Sequence, residues 1–133
     1  MKLQYTTDCA LLMMVYLTGE AGRIVSSREL EKMIHFPQQS IFNAGRKLKN
    51  FGFINTINGP FGGYMLAKSP DEISIQDILE AFKDEFYING ETYSEKAATT
   101  TLQNFARALM NMEAEMKQKM SAHTLAELLA ETV

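Results

Sequence analysis

The chain has 133 residues, 46% of them apolar, which suffices for one compact core without covalent staples. Its single cysteine excludes an internal disulfide and fits a reducing compartment, and its longest apolar run falls far below the ~20 residues of a bilayer-spanning helix. The net charge of −3 conceals a division: residues 1–68 carry eight basic and four acidic side chains, net +4, whereas residues 69–133 carry five and twelve, net −7. That asymmetry points to a basic working face in the first half and an acidic second half. The amino terminus is too short and polar for a signal peptide, so a cytoplasmic location and no membrane partner are expected.

In chain order, Thr6 or Thr7 is positioned to cap a first helix running to about Leu17, with Ala10, Leu11, Met14 and Leu17 on its inner face. The glycines of residues 18–22 end it. Ser26-Ser27-Arg28-Glu29 has the form of a capping box, Ser26 as cap and Glu29 reaching back, and the helix it opens turns Leu30, Met33 and Ile34 inward. Phe36-Pro37 breaks this second helix, and Pro37 suits the first turn of a third. Over residues 37–50, Ile41, Ala44, Leu48 and Phe51 recur at helical spacing and are expected inside. Gln39, Asn43, Arg46, Lys47 and Asn50 fall on the opposite side. At 1.5 Å per residue such a helix is about 21 Å long, enough to lie across a DNA major groove.

Gly52 stops the third helix. Two β-type segments, residues 53–57 and 63–68, then flank Asn58-Gly59-Pro60-Phe61-Gly62, whose glycines supply the backbone freedom of a tight reversal. Helix, turn, helix and hairpin in this order form the grammar of a winged DNA-binding domain. Gly62-Gly63 is no phosphate loop, because it opens a strand and lacks a following Lys-Ser/Thr. After a turn at residues 69–72, Ser74-Ile75-Gln76-Asp77 caps a fourth helix whose apolar side is Ile75, Ile78, Leu79 and Phe82. Residues 84–101 are polar, contain Asn89-Gly90 and are expected to include a mobile loop. A long helix from Lys96 or Ala97 to Met120 carries an apolar stripe of Leu102, Phe105, Leu109, Met112, Met116 and Met120. A last short helix over residues 121–130 is capped by Ser121, or by Thr124 with Glu127.

With these elements placed, the chain resembles the Rrf-type winged-helix transcription regulators of bacteria, the group that includes IscR, NsrR and CymR. The resemblance runs from Met1-Lys2-Leu3 and Thr7-Asp8-Cys9-Ala10-Leu11 to Thr124-Leu125-Ala126-Glu127-Leu128. Its most specific pieces are Leu48-Lys49-Asn50-Phe51-Gly52-Phe53-Ile54, Gly59-Pro60-Phe61-Gly62-Gly63-Tyr64-Met65-Leu66-Ala67 and Ile73-Ser74-Ile75-Gln76-Asp77-Ile78. It implies a mainly α fold with a small β-wing: a winged helix-turn-helix DNA-binding domain over residues 1–83, then a loop, a long dimerisation helix and a short terminal helix over residues 84–133. It further implies a homodimer joined through Leu102, Phe105, Leu109, Met112, Met116 and Met120, repressing promoters by occupying a roughly palindromic double-stranded operator.

Many members of that group bind an iron–sulfur cluster through three cysteines ahead of the long helix. This chain has none there, and thiolates are the ligands such clusters require, so no cofactor is expected. The chain is more similar to the cluster-free branch, with a small molecule or a protein partner as the effector. The group also commonly has arginine before the first wing glycine. Here it is Asn58, which can hydrogen-bond minor-groove base edges but lacks the attraction of a cation for a narrow groove.

The winged reading selects the DNA-contacting residues: Arg28, Gln38, Gln39, Ser40, Asn43, Arg46, Lys47, Lys49, Asn58 and Gly59. Gln and Asn at the start of the recognition helix pair with adenine edges. Arg46 reads guanine or holds a phosphate, and Lys47 and Lys49 neutralise backbone charge. Phe42 lies off the core stripe, either touching a thymine methyl or buried against the second helix. Cys9 reads as a small buried hydrophobe. His35 and His123 are too isolated for a metal site, so none is expected, and no nucleophile–base pair or cofactor motif supports an enzyme. The competing function is a winged protein-interaction module that does not bind DNA, with the acidic second half as its docking surface. The methionines of the long helix are either dimer core or a surface that repacks around an effector.

Overall fold

A computed structural model describes residues 3–84 and 98–130. Its elements are α1 (Tyr5–Gly19), α2 (Ser27–Ile34), α3 (Gln38–Asn50), β1 (Ile54–Ile57), β2 (Gly63–Leu66), a 3-10 turn (Pro70–Glu72), α4 (Ile75–Ala81), α5 (Thr100–Ala122) and α6 (Leu125–Ala130). The expected mobile loop at residues 84–101 falls mostly outside the described residues, as does the start of the long helix at Lys96 or Ala97.

The core lies where α1, α3, α4 and the hairpin converge. Ala10, Met13, Met14 and Leu17 of α1 meet Ile41, Ala44 and Leu48 of α3, with Ile54, Ile73 and Ile78 closing it; all are buried. Helix α1 starts earlier than its threonines suggest. Gln4 is its cap, and Thr7 is buried inside the helix with its hydroxyl unpaired. Met13 takes an inner position, while Leu11 is only half-buried.

Ser26 caps α2, its Oγ accepting from the Glu29 N–H at 3.1 Å. The Glu29 carboxylate does not reach back. It accepts instead from Arg23 Nη1 at 3.0 Å and from the Tyr16 hydroxyl at 2.5 Å, because a guanidinium and a phenol outcompete one backbone N–H. This network holds the Glu29 carboxyl down at about 2, Arg23 contributing first and Tyr16 second. Met33 is 51% exposed, since α2 is short and its inner face is formed by the buried Leu30 and the half-buried Ile34. Pro37 is the cap of α3, one place ahead of the first turn. Phe51 lies past the helix end and is 50% exposed.

The strands pair antiparallel, with Ile54 opposite Leu66 and Ile57 opposite Gly63. Val25, between α1 and α2, joins them: its N–H and C=O both bond Tyr64 at 2.8 Å, which ties the wing to the helical body. The capping box of α4 is complete, Ser74 Oγ accepting from Asp77 N–H at 3.1 Å and Asp77 Oδ2 from Ser74 N–H at 2.9 Å. Thr99 caps α5 and Thr124, not Ser121, caps α6. Leu125 of α6 donates to Ile73 at 2.7 Å and joins the same core, so the terminal helix returns to the N-terminal body.

Candidate nucleic-acid interface

Helix α3 has two chemically distinct sides. Ile41, Ala44, Gly45 and Leu48 are buried, whereas Gln39, Asn43, Arg46 and Asn50, spaced by threes and fours, form an exposed row without an acid. Gln39 Nε2 donates to Asn43 Oδ1 at 3.2 Å, which orders the two amides as a pair. Gln38 and Ser40 are half-buried on the flanks of that row, and the Ser27 hydroxyl lies 3.4 Å from Gln38 Oε1. The first turn carries no acid and no side chain caps it, leaving the positive end of the helix dipole uncompensated.

The basic residues are distributed around this helix. Arg46, Lys47 and Lys49 are all exposed. Lys47 bends toward α4, its Nζ 5.5 Å from the Phe82 ring centroid, so it stands on the side of α3 away from the wing. Arg28 is exposed near the start of α2. It lines a groove of about 700 Å³ between α2, α3 and the wing, together with Phe42, Asn58, Gly59 and Pro60. Phe42 is therefore not buried against α2; it forms an exposed apolar wall of that groove. The groove brings Arg28, Asn58 and Gly59 together, while Gln39, Asn43, Arg46 and Lys47 lie outside it.

Two residues that sequence reasoning did not single out set the angle between wing and helix. Tyr64, buried in β2, packs on Gly45, where an added Cβ would fall 2.8 Å from the tyrosine Cε1. A glycine within a helix costs about 1 kcal/mol relative to alanine, and that cost is the signal that marks a close approach. At Gly63 an added Cβ would fall 2.2 Å from the Val25 carbonyl oxygen, so the Val25–Tyr64 pairing requires glycine there. Burial raises the Tyr64 hydroxyl above its ordinary range.

The expected dimer stripe divides along α5. Phe105 is 53% exposed, and Leu102 and Met112 are similarly open. Leu109 is half-buried. Met116 and Met120 are also half-buried and line a small apolar cleft of about 180 Å³ with Ile75 of α4 and Leu128 of α6. Cys9 lies in the core, where burial pushes its thiol up to about 11, the opposite of a reactive thiolate. Among the described residues, no group of three or more His, Cys, Asp or Glu side chains is placed to hold a metal, and no helix is long and apolar enough to cross a membrane.

Comparison with known proteins agrees with this architecture. A candidate HTH-type transcriptional regulator of Aquifex aeolicus is 35% identical over 81 residues, covering 61% of this chain and 56% of that protein. The HTH-type transcriptional regulator NsrR of Bacillus subtilis is 26% identical over 89 residues, covering 66% of this chain and 61% of its own length. The chain thus spans under two thirds of these relatives. In three dimensions it is similar to CymR, the global cysteine regulator of B. subtilis, with a TM-score of 0.76, 20% identity, and coverage of 100% of this chain and 99% of that one. The profile of the Rrf2 family, described as iron-dependent transcriptional regulators, matches residues 3–131. A cysteine-ligated iron centre does not fit this member, whose one cysteine is enclosed in the core. The chain belongs to the Rrf2 family of transcriptional regulators.

Proposed function

We propose that this protein is a homodimeric repressor that binds a roughly palindromic duplex site, α3 in the major groove and the wing toward the adjacent minor groove. The observation that carries this reading is the acid-free exposed row Gln39, Asn43, Arg46 and Asn50 on a helix whose other side is wholly buried. A rigid helix about 20 Å long with such a face matches the width and chemistry of a major groove. The ordered Gln39–Asn43 pair offers an acceptor and a donor, the complement of an adenine N6 and N7 edge. Arg46 reads a guanine or holds a phosphate. Lys47 and Lys49 on α3 and Arg28 on α2 hold phosphates on either side.

The dimer contact is assigned to the open part of α5, around Leu102, Phe105, Leu109 and Met112. A two-fold axis there sets the recognition helices about 34–36 Å apart, on successive major grooves. Met116 and Met120 complete the contact, or repack around an effector at their cleft. Function divides at residues 83 and 84, although α6 shares the core of the first part. The effector is a small molecule or a protein partner, and no iron–sulfur cluster takes part.

The test is selection of duplexes from a random library by the purified protein, followed by binding measured against salt. Lys47→Ala is expected to weaken all sequences alike and to reduce the salt slope by about 0.9. Gln39→Ala is expected to relax base preference at one position per half-site, by about 1–3 kcal/mol. Specific binding indifferent to both substitutions would remove these roles. A monomer that retains no duplex would favour the protein-interaction reading, which Asn58 in the wing also fits.

A further inference from the structure

Phe61 is 92% exposed, the most open large apolar side chain among the described residues. A single exposed aromatic is ordinary; the loop that carries this one is not. Gly59, Pro60, Phe61 and Gly62 form a turn closed by the Gly62 N–H donating to the Gly59 carbonyl at 3.0 Å. Pro60 fixes its own φ at the second position, a placement that favours such turns, and Gly59 takes φ 105°. A Cβ on Gly62 would fall 2.1 Å from the Ile57 carbonyl oxygen, so the loop closes too tightly for any other residue. The ring therefore stands at the tip of a stiff hairpin, flanked by glycine and proline that leave it unshielded.

The wing is also uncharged: no Asp, Glu, Lys or Arg occurs from Ile54 to Ala67. Lys68, the first cation beyond it, turns back over the Phe53 ring at 5.4 Å. A wing without cations has no electrostatic hold on a phosphate backbone. Any grip it has on a duplex comes from apolar contact, from the Asn58 amide and from backbone N–H groups such as that of Gly59.

We propose that Phe61 is an apolar wedge, carried by the wing into the minor groove beside the α3 contact and inserted between the base pairs of one step, with Asn58 bonding the acceptors at the groove edge. This inference rests on the DNA-binding reading above and assigns the wing's share in it. Wedging side chains unstack the step they enter and kink the duplex by roughly 20–90° toward the major groove. Unstacking costs least at TA and CA/TG steps, so the wing selects a flexible step through DNA deformability. Because no charge is involved, its contribution is independent of salt.

The test uses the full chain and the duplex selected by the wild-type protein. Affinity is measured against salt, bending by fluorescence transfer between the duplex ends, and unstacking by 2-aminopurine placed at each flanking step. Phe61→Ala is expected to weaken binding roughly tenfold, the scale of one lost base–aromatic contact. It should leave the salt slope unchanged, reduce the bend and abolish the 2-aminopurine signal, whereas Phe61→Leu retains most of each. Lys47→Ala should do the reverse, lowering the slope and keeping the bend. Phe61→Ala with wild-type affinity and bend, or with weakened affinity but unaltered bend and fluorescence, overturns the wedge while duplex binding stands. Failure of the wild-type protein to retain any duplex overturns both readings. Phe61 is open to solvent, and an unchanged melting temperature of the free variant confirms that folding is intact.

Discussion

Helices α3 and α5 use apolar residues in opposite ways. Of the 13 residues of α3, Ile41, Ala44, Gly45 and Leu48 are all buried within the chain. Helix α5 is 23 residues long and buries Ala106 alone. Fully burying a Leu, Phe or Met side chain is worth about 1.5–3 kcal/mol, so α3 is secured by its own chain, whereas on α5 Leu102, Phe105 and Met112 each keep about half of their surface exposed. The difference matches the roles proposed for them: the recognition face rides on a helix packed by its own chain, and the dimer contact is proposed on a helix whose apolar side chains stay half-exposed.

The sharpest way to break this comparison is one substitution in each region. Leu48→Ala should destabilise the protein by about 2–5 kcal/mol, with a urea midpoint shift that is the same at every protein concentration. Phe105→Asp should instead leave the body folded and weaken self-association by about 2 kcal/mol or more, seen by sedimentation as a shift toward monomer. If Phe105→Asp left self-association intact, the open half of α5 would lose its assignment.

A smaller effect sharpens the account of the body. The Thr7 hydroxyl is buried without a hydrogen-bond partner, so Thr7→Val should raise stability by about 1 kcal/mol, again independent of concentration. The smallest effect concerns pH. Arg23 and Tyr16 hold the Glu29 carboxyl at about 2, below its ordinary 4.5. A depressed carboxyl stabilises the fold in full above about 4.5 and loses that contribution as pH falls toward about 2. Arg23→Ala should therefore be slightly less stable than wild type at pH 6, and the two urea midpoints should converge between about pH 4.5 and 2. The pair is partly exposed, so the gap at pH 6 is small.

Much of the site was legible because α3 is a two-sided helix. Ile41, Ala44 and Leu48 at helical spacing leave Gln39, Asn43 and Arg46 no place but the outside. Phe51, Met33 and the Glu29 side chain were misplaced for one shared reason. Each lies at the end of an element, where periodicity fades and the competing partner, such as Arg23, comes from another segment. Phe42 could not be assigned at all from spacing, since only the wing's position determines whether it faces a groove or a neighbouring helix.

By itself the sequence determined the order of elements, the inner face of α3, the complete cap of α4 and the absence of cluster-ligating thiols. These follow from local rules: period, capping chemistry and residue identity. Tertiary structure alone decided how the wing stands against α3, through Tyr64 over Gly45 and the backbone pairing of Val25 with Tyr64. It also decided that Met116 and Met120 turn toward the chain's own helices while Leu102 and Met112 stay half-exposed. Contacts between segments far apart in the chain depend on which surfaces meet, and hydrophobic burial is non-directional. A pattern read along one segment fixes which side is apolar, but not what covers it.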